Sequence, residues 1–349
     1  MIKKNKYNSV LAIAFAAGLA TAIGQTLAAG AGAGEVNLYS YRQPFLIKPF
    51  LDEFTKRTGV KVNVVFAKKG MLERLKREGA NSPADAVLTV DISRLKAHAD
   101  AGLLQPIESR TIEKNIPAQY RDPNGLWVGL TLRTRLIAAA RDRVKPGEIK
   151  SYEDLADLKW KGRICVRKGG HVYNRALVAS LIAHHGEKKA GELVRGIVAN
   201  FARKPQGNDR AQAKAVYEGV CDLAIINNYY FGKMKFNRKK PAQQKWAAAL
   251  RLVFPNQDGR GSHVNVSGAA VTRHARNRDN AIMLIEFLSG QFTQRMYASQ
   301  NYEYPVNPRV SWDKEVESWG RFKTDTLSLA KIADLSPAAQ KLIDRVGWY

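Results

Sequence analysis

Two adjacent phenols, Tyr229 and Tyr230, follow the apolar run 223–226 and the pair Asn227 and Asn228. A short, unbroken apolar run predicts a strand buried on both faces, as in a sheet covered by helices. Ligands of open α/β sheets sit beyond the carboxyl ends of the strands, which is where these phenols fall. Phenolate oxygens are hard donors, so two of them side by side could hold a hard metal ion. The competing reading is a pair of loop aromatics packed on the core, with Gly232 letting the backbone turn after Phe231. Tyr173 stands in a similar place, after a strand expected over 163–167 and beside a helix start.

The rest of the chain offers no rival chemistry. There is no HExxH, no CxxC, no GxSxG elbow, no GxGxxG after a strand and no P-loop. His184 and His185 are helical neighbours that point about 100° apart, so they do not share a metal easily and read as exposed or capping residues. No pair of acidic residues is singled out by its surroundings. An α/β chain without a catalytic signature points to a binder rather than an enzyme.

The elements that must position the phenols alternate. Residues 36–41 form a strand, then Ile47, Phe50, Leu51 and Phe54 form the stripe of an amphipathic helix that Gly59 ends. Val60, Val62, Val64 and Phe66 alternate as a second strand, and Met71, Leu72 and Leu75 mark a helix closed by Gly79. A buried strand over 85–90 and a helix over 92–101 complete a β-α-β-α-β-α order, which predicts a mostly parallel sheet clothed in helices. Residues 126–140 break the rhythm with a long extended stretch holding Arg133 and Arg135 among apolar residues, suited to a crossing between two lobes. Ser151 and Asp154 have the spacing of a capping box that opens a helix. Asn174 is placed to cap a helix running to His185, with further helices over about 187–200 and 209–218. Strands are expected over 252–254 and 264–271, the second returning to the first lobe. Trp312 and Trp319 read as core contacts among short helices.

Length and composition fit this picture. The chain has 349 residues, enough for two domains, with ordinary apolar (45%) and charged (25%) fractions. Lys3, Lys4 and Lys6 precede a short apolar stretch, and small-x-small sites end at Ala31 and Ala33, so residues 1–33 are expected to be a cleaved signal peptide. No Cys follows that stretch to take a lipid, so a soluble, exported chain is expected. Cys165 and Cys221 both start predicted strands, and an exported chain favours a bridge between them over two buried thiols. The net charge of +25 raises polyanions or an anionic membrane surface as partners. The basic residues are scattered, however, and the densest run, 233–240, reads as a solvated loop and helix start. No nucleic-acid motif is present.

Several segments, taken in order, resemble the periplasmic ferric-iron-binding proteins of ABC importers. They are Val172-Tyr-Asn-Arg-Ala-Leu-Val-Ala-Ser180, Asn200-Phe-Ala-Arg-Lys-Pro-Gln-Gly-Asn-Asp-Arg210 and the stretch 222–232 around the phenols. Asn81-Ser-Pro-Ala-Asp85 with Leu88-Thr-Val-Asp91, and Leu103-Leu-Gln-Pro106, add to them, so the likeness spans about 35–349. The resemblance implies a two-lobed α/β periplasmic binding protein whose crossing strands join the lobes. Residues 34–132 with about 261–304 would form the first lobe. About 133–260 with 305–349 would form the second.

The resemblance also implies Tyr173, Tyr229 and Tyr230 as ligands of Fe(III), and Arg133 as the cleft arginine that meets a tyrosinate or a synergistic anion such as carbonate. Many members carry His-Tyr after the first strand. Here Gln43 and Pro44 stand at that turn, leaving Gln43 or Tyr41 to contribute. The implied partner is an inner-membrane ABC importer permease served by a monomer in the periplasm. The alternatives are a binder of another small anionic or organic solute, and a basic protein that docks on polyanions or membrane.

Overall fold

The computed structural model describes residues 34–349, and the segment expected to be a signal peptide lies outside them. The elements in chain order begin with β1 (Glu35–Ser40), α1 (Pro44–Thr58), β2 (Lys61–Phe66), α2 (Met71–Glu78), β3 (Ala86–Thr89), α3 (Ile92–Asp100), β4 (Leu104–Gln105) and α4 (Arg110–Asn115). Then come β5 (Val128–Ala140), β6 (Ile164–Cys165), α5 (Val172–Ala199), α6 (Asp209–Tyr217), β7 (Leu223–Asn227), α7 (Asn228–Lys235), α8 (Ala242–Ala248), β8 (Leu250–Val253) and β9 (Val264–Thr272). The chain closes with α9 (Arg278–Ser289), α10 (Gln291–Asn301), β10 (Tyr304–Pro305), α11 (Lys314–Ser318), α12 (Leu329–Asp334) and α13 (Ser336–Arg345).

The expected α/β class holds. The strands run in the order β2-β1-β3-β9-β5-β7-β6, with β4, β8 and β10 paired off this path. β1 is parallel to β2 and β3, whereas β9 runs antiparallel to β3 and β5. Helix α1 buries the stripe read from its spacing, Ile47, Phe50, Leu51 and Phe54, and ends on left-handed Gly59. β3, β5, β7 and β9 are buried along their whole length, as strands covered on both faces must be.

β5 links the two ends of the sheet. From Val128 to Thr134 it pairs with β9, and from Arg135 to Ala139 with β7. Arg133 and Arg135 therefore sit where the strand passes from one set of neighbours to the other. Both are buried, at 3% and 2% exposure, so each guanidinium must find partners inside the protein.

Four local expectations are corrected. Ser151 and Asp154 do form a reciprocal box, Oγ accepting from Asp154 N at 3.1 Å and Oδ2 from Ser151 N at 2.9 Å, but it opens only the 3-10 turn Glu153–Ala156. The strand expected over 163–167 shrinks to two residues, because the carbonyls of Arg167 and Lys168 accept from Asn174 Nδ2 instead of extending the ladder. Asn174 consequently lies inside α5 and His171 is its N-cap. His184 is exposed, as expected, but His185 is half-buried, and neither caps a helix: they bond Asp325 and Glu153, each at 2.7 Å.

The break foreseen near residue 186 is present, since Gly186 (φ 75°, ψ 162°) interrupts the helical backbone of α5. Cys165 and Cys221 are joined by a disulfide with S–S 2.03 Å. Trp312 packs on Tyr304 and Trp319 on Phe231, in the core role read for them.

Candidate metal site

The three phenols come together. Tyr229 Oη donates to Tyr173 Oη at 3.0 Å, and the rings of Tyr229 and Tyr230 stack with centroids 4.6 Å apart. Tyr173 is the second residue of α5, and Tyr229 is the second of α7. The positive end of a helix favours an anionic oxygen at such positions. The expectation that Tyr229 and Tyr230 lie in a loop is thus corrected: they belong to the first turn of a helix. Gly232 does not serve a turn. A Cβ there would come within 2.3 Å of the Tyr302 ring, so the glycine lets α7 approach that ring.

Local bonds fix these positions. His171 Nδ1 accepts from Tyr173 N at 3.3 Å, and burial together with Arg167 pushes the imidazole down to about 3, so it stays a neutral acceptor. Asn228 holds the start of α7 against β5 and the chain beyond α10: its Oδ1 accepts from Thr134 N at 3.0 Å and its Nδ2 donates to Tyr302 O at 2.8 Å. The rings then face cations. Arg133 and Arg167 lie 5.2 and 5.3 Å from the centroid of Tyr173, and Arg210 lies 4.9 Å from that of Tyr230.

Burial, and then the neighbouring phenols, raise Tyr229 well above the ordinary phenol range; burial and Asp209 push Tyr230 up to about 12. Tyr229 and Tyr230 are therefore neutral phenols near neutral pH, and a cation binding through them must displace their protons.

The cluster opens into a cleft of about 310 Å³ that also receives Tyr41, Gln43 and Arg133. Arg133 donates to Ser267 Oγ at 2.8 Å and to the Val266 carbonyl at 3.2 Å; among the described residues it forms no ion pair. Tyr41 is buried, and its hydroxyl accepts from Leu72 N at 3.1 Å with Arg94 over the ring. Gln43 is exposed, precedes α1 and makes no side-chain cap bond.

Sequence reasoning missed five other groups. Arg42 reaches Glu303 at 2.5 Å and shares Ser267 Oγ with Arg133; Glu303 is the only carboxylate among the described residues that line the cleft. Arg167 and Arg210 add positive charge. Lys233 also corrects an expectation: it is not a solvated loop residue but lines the cleft, and burial lowers its ammonium to about 8. Arg42 and Glu303 lie 261 residues apart, so only the fold reveals their pairing. Arg42 itself had a signal, as the charged residue closing the strand that carries Tyr41.

No group of three or more His, Cys, Asp or Glu placed to hold a metal occurs among the described residues. Phenols are thus the concentrated oxygen donors of this cleft.

A sheet divided by a long shared strand, with a polar cleft at the strand ends, is the architecture of a solute receptor. The family model of bacterial extracellular solute-binding proteins matches residues 81–325. Iron uptake protein A1 of Synechocystis is 46% identical over 315 residues, covering 90% of this chain and 87% of that protein. Apo ferric ion-binding protein A of Pasteurella haemolytica superposes with a TM-score of 0.86 at 48% identity, over 90% of this chain and 98% of that one. The Trichodesmium protein IdiA (FutA), solved with iron and citrate ligands, gives 0.85 at 44% identity, over 90% and 100%. The chain belongs to the bacterial ferric iron-binding family of solute-binding proteins. Its members are binders rather than enzymes, and no helix among the described residues is long and apolar enough to cross a membrane.

Proposed function

We propose that this protein takes up ferric iron in the periplasm through Tyr173, Tyr229 and Tyr230, and hands it as a monomer to an inner-membrane ABC importer. The observation behind this reading is the meeting of three phenols from two distant segments, with a 3.0 Å contact between Tyr229 and Tyr173. Three phenolates balance a 3+ ion, so the filled cluster is neutral and tolerates partial burial. Hard oxygen donors without thiolate select ferric iron over softer ions. The relatives named above support the cargo: one is an iron uptake protein, one a ferric ion-binding protein, and one was solved with iron and citrate.

Arg133, with Arg42 beside it on Ser267, supplies donors for an anion such as carbonate or a carboxylate that fills the remaining coordination positions. Gln43, whose amide is free of a cap bond, is the first-lobe residue best placed to add a contact, whereas the Tyr41 hydroxyl is committed to Leu72. In this reading 34–132 with about 261–304 close as one lobe over 133–260 with 305–349, and bound iron favours the closed form by touching both.

Titration of the mature protein with ferric nitrilotriacetate tests the reading. An orange-to-red charge-transfer band should grow to one iron per chain, and Tyr229→Phe combined with Tyr230→Phe should abolish it while the far-ultraviolet dichroism stays native. A folded double variant with the wild-type band would refute the ligand assignment.

A further inference from the structure

We infer that Asp209 is a positioning residue of the phenol cluster: one buried carboxylate that ties the segment bearing Tyr173 to the segment bearing Tyr229 and Tyr230. The inference rests on the proposed ligand role of these phenols and adds a group that touches none of them.

Asp209 opens α6 and is fully buried. Its Oδ2 accepts from Arg135 Nη1 at 2.6 Å and from the backbone N–H of Asn227 at 2.8 Å; its Oδ1 accepts from Arg167 Nη1 at 3.2 Å. Arg135 continues the chain of bonds. Its Nη2 and Nε donate to Asn174 Oδ1 at 2.7 and 3.2 Å, and its Nη1 also reaches Asn227 Oδ1 at 3.2 Å. Asn174 adjoins Tyr173, and Asn227 is the N-cap of the helix whose first turn holds Tyr229 and Tyr230. Two segments more than 50 positions apart in the chain are thereby fixed to one carboxylate. The Arg135 and Arg167 guanidinium groups held by it also lie 5.9 and 5.3 Å from the Tyr173 ring centroid.

The residue type follows from the donors. Two guanidinium groups and a backbone N–H converge, and all are donors, so the site requires a side chain that only accepts. An amide would turn its own NH₂ toward one of them and leave buried Arg135 and half-buried Arg167 without a counter-charge. The neighbour explains why Asp209 is free for this task. Asn208 caps α6, its Oδ1 accepting from Arg210 N at 3.0 Å and Ala211 N at 3.3 Å. Asp209 need not cap and turns to the arginines.

Groups that orient metal ligands from behind typically change affinity about 10–100-fold when removed. Asp209→Asn should therefore give a folded protein whose ferric charge-transfer maximum is displaced and which yields iron to EDTA at least about tenfold faster than wild type. Asn174→Ala cuts the same chain at its Tyr173 end without stranding a charge, and should move both readouts in the same direction. Glu153→Gln breaks an ion pair outside the cleft and serves as the control for stability loss alone. It should lower the melting temperature and leave band and transfer rate unchanged. A folded Asp209→Asn or Asn174→Ala protein with the wild-type band and transfer rate overturns the inference. A wild-type protein that shows no band at all overturns the ligand reading beneath it, so the two failures are told apart.

Discussion

The two walls of the cleft are built on different principles. On the wall formed by the starts of α5 and α7, three half-buried phenols touch one another, and nothing but a neighbouring phenol accepts the Tyr229 proton. On the wall formed by the end of β1, Tyr41 is bonded to Leu72 N and Arg42 to Glu303 and Ser267, while Gln43 stays exposed. The first wall keeps Tyr229 and Tyr230 as neutral phenols whose protons a bound cation can displace. The second has made its bonds within the protein and presents fixed charge and shape. The contrast teaches that the missing His-Tyr pair after β1 has not been replaced by another set of free ligands; in the proposed reading, iron capture falls to one wall, and the other completes and closes.

Protons break this comparison most severely. Because Tyr229 and Tyr230 start neutral, each one that yields its proton makes the apparent ferric affinity fall about tenfold for every unit the pH drops. Two such groups give a fall of up to about a hundredfold per unit, measurable by competition with citrate between pH 8 and 6. A slope near zero would place the cargo on groups that are already ionised, away from this wall.

The matched wall should answer in stability. Arg42→Met leaves the Glu303 carboxylate buried and unpaired, and removal of one partner of a buried pair costs about 3–5 kcal/mol. Urea denaturation of the iron-free protein reads this directly, and a loss below about 1 kcal/mol would show the pair to be solvated. Smaller still is Tyr41→Phe, which removes one hydrogen bond worth about 1 kcal/mol and should leave the visible band in place, since its hydroxyl serves Leu72. A bleached or displaced band in that variant would move Tyr41 to the capturing wall.

A pH effect independent of iron separates the walls from the frame behind them. His171 and His263 are both held down to about 3, by burial first and then by arginines, far below the ~6.5 of an unfolded imidazole. The unfolded chain takes up these protons first, so the stability they allow is complete above about pH 6.5 and is lost as pH falls toward 3. His263→Gln should flatten that decline in thermal melts of the apoprotein.

The sequence made the repeating frame legible because burial imposes period. The stripe of α1, the continuous runs of β3 and β7, and the glycine stop at Gly59 each express a local rule. The length and placement of the stretch 126–140 likewise pointed to a strand shared between two sets of neighbours. Tyr173, Tyr229 and Tyr230 were legible in part, as phenols after buried strands, but their meeting depends on how α5 and α7 start. The helical state of Tyr229 and Tyr230 was hidden by Gly232, whose use is to admit the Tyr302 ring rather than to turn the chain. Pairings such as Arg42 with Glu303, or Asp209 with Arg135, cross the fold between charged residues of ordinary appearance, and no local spacing marks them. Lys233 was misread for the same reason, since a basic run looks solvated until a cleft is placed beside it.

The most direct test of the account is an anomalous difference map at the iron absorption edge, from crystals of the mature protein loaded with ferric iron. The account predicts one strong peak within bonding distance of the hydroxyl oxygens of Tyr173, Tyr229 and Tyr230. A peak coordinated by other residues, or iron-loaded crystals with those three oxygens still bonded only to one another, would contradict it.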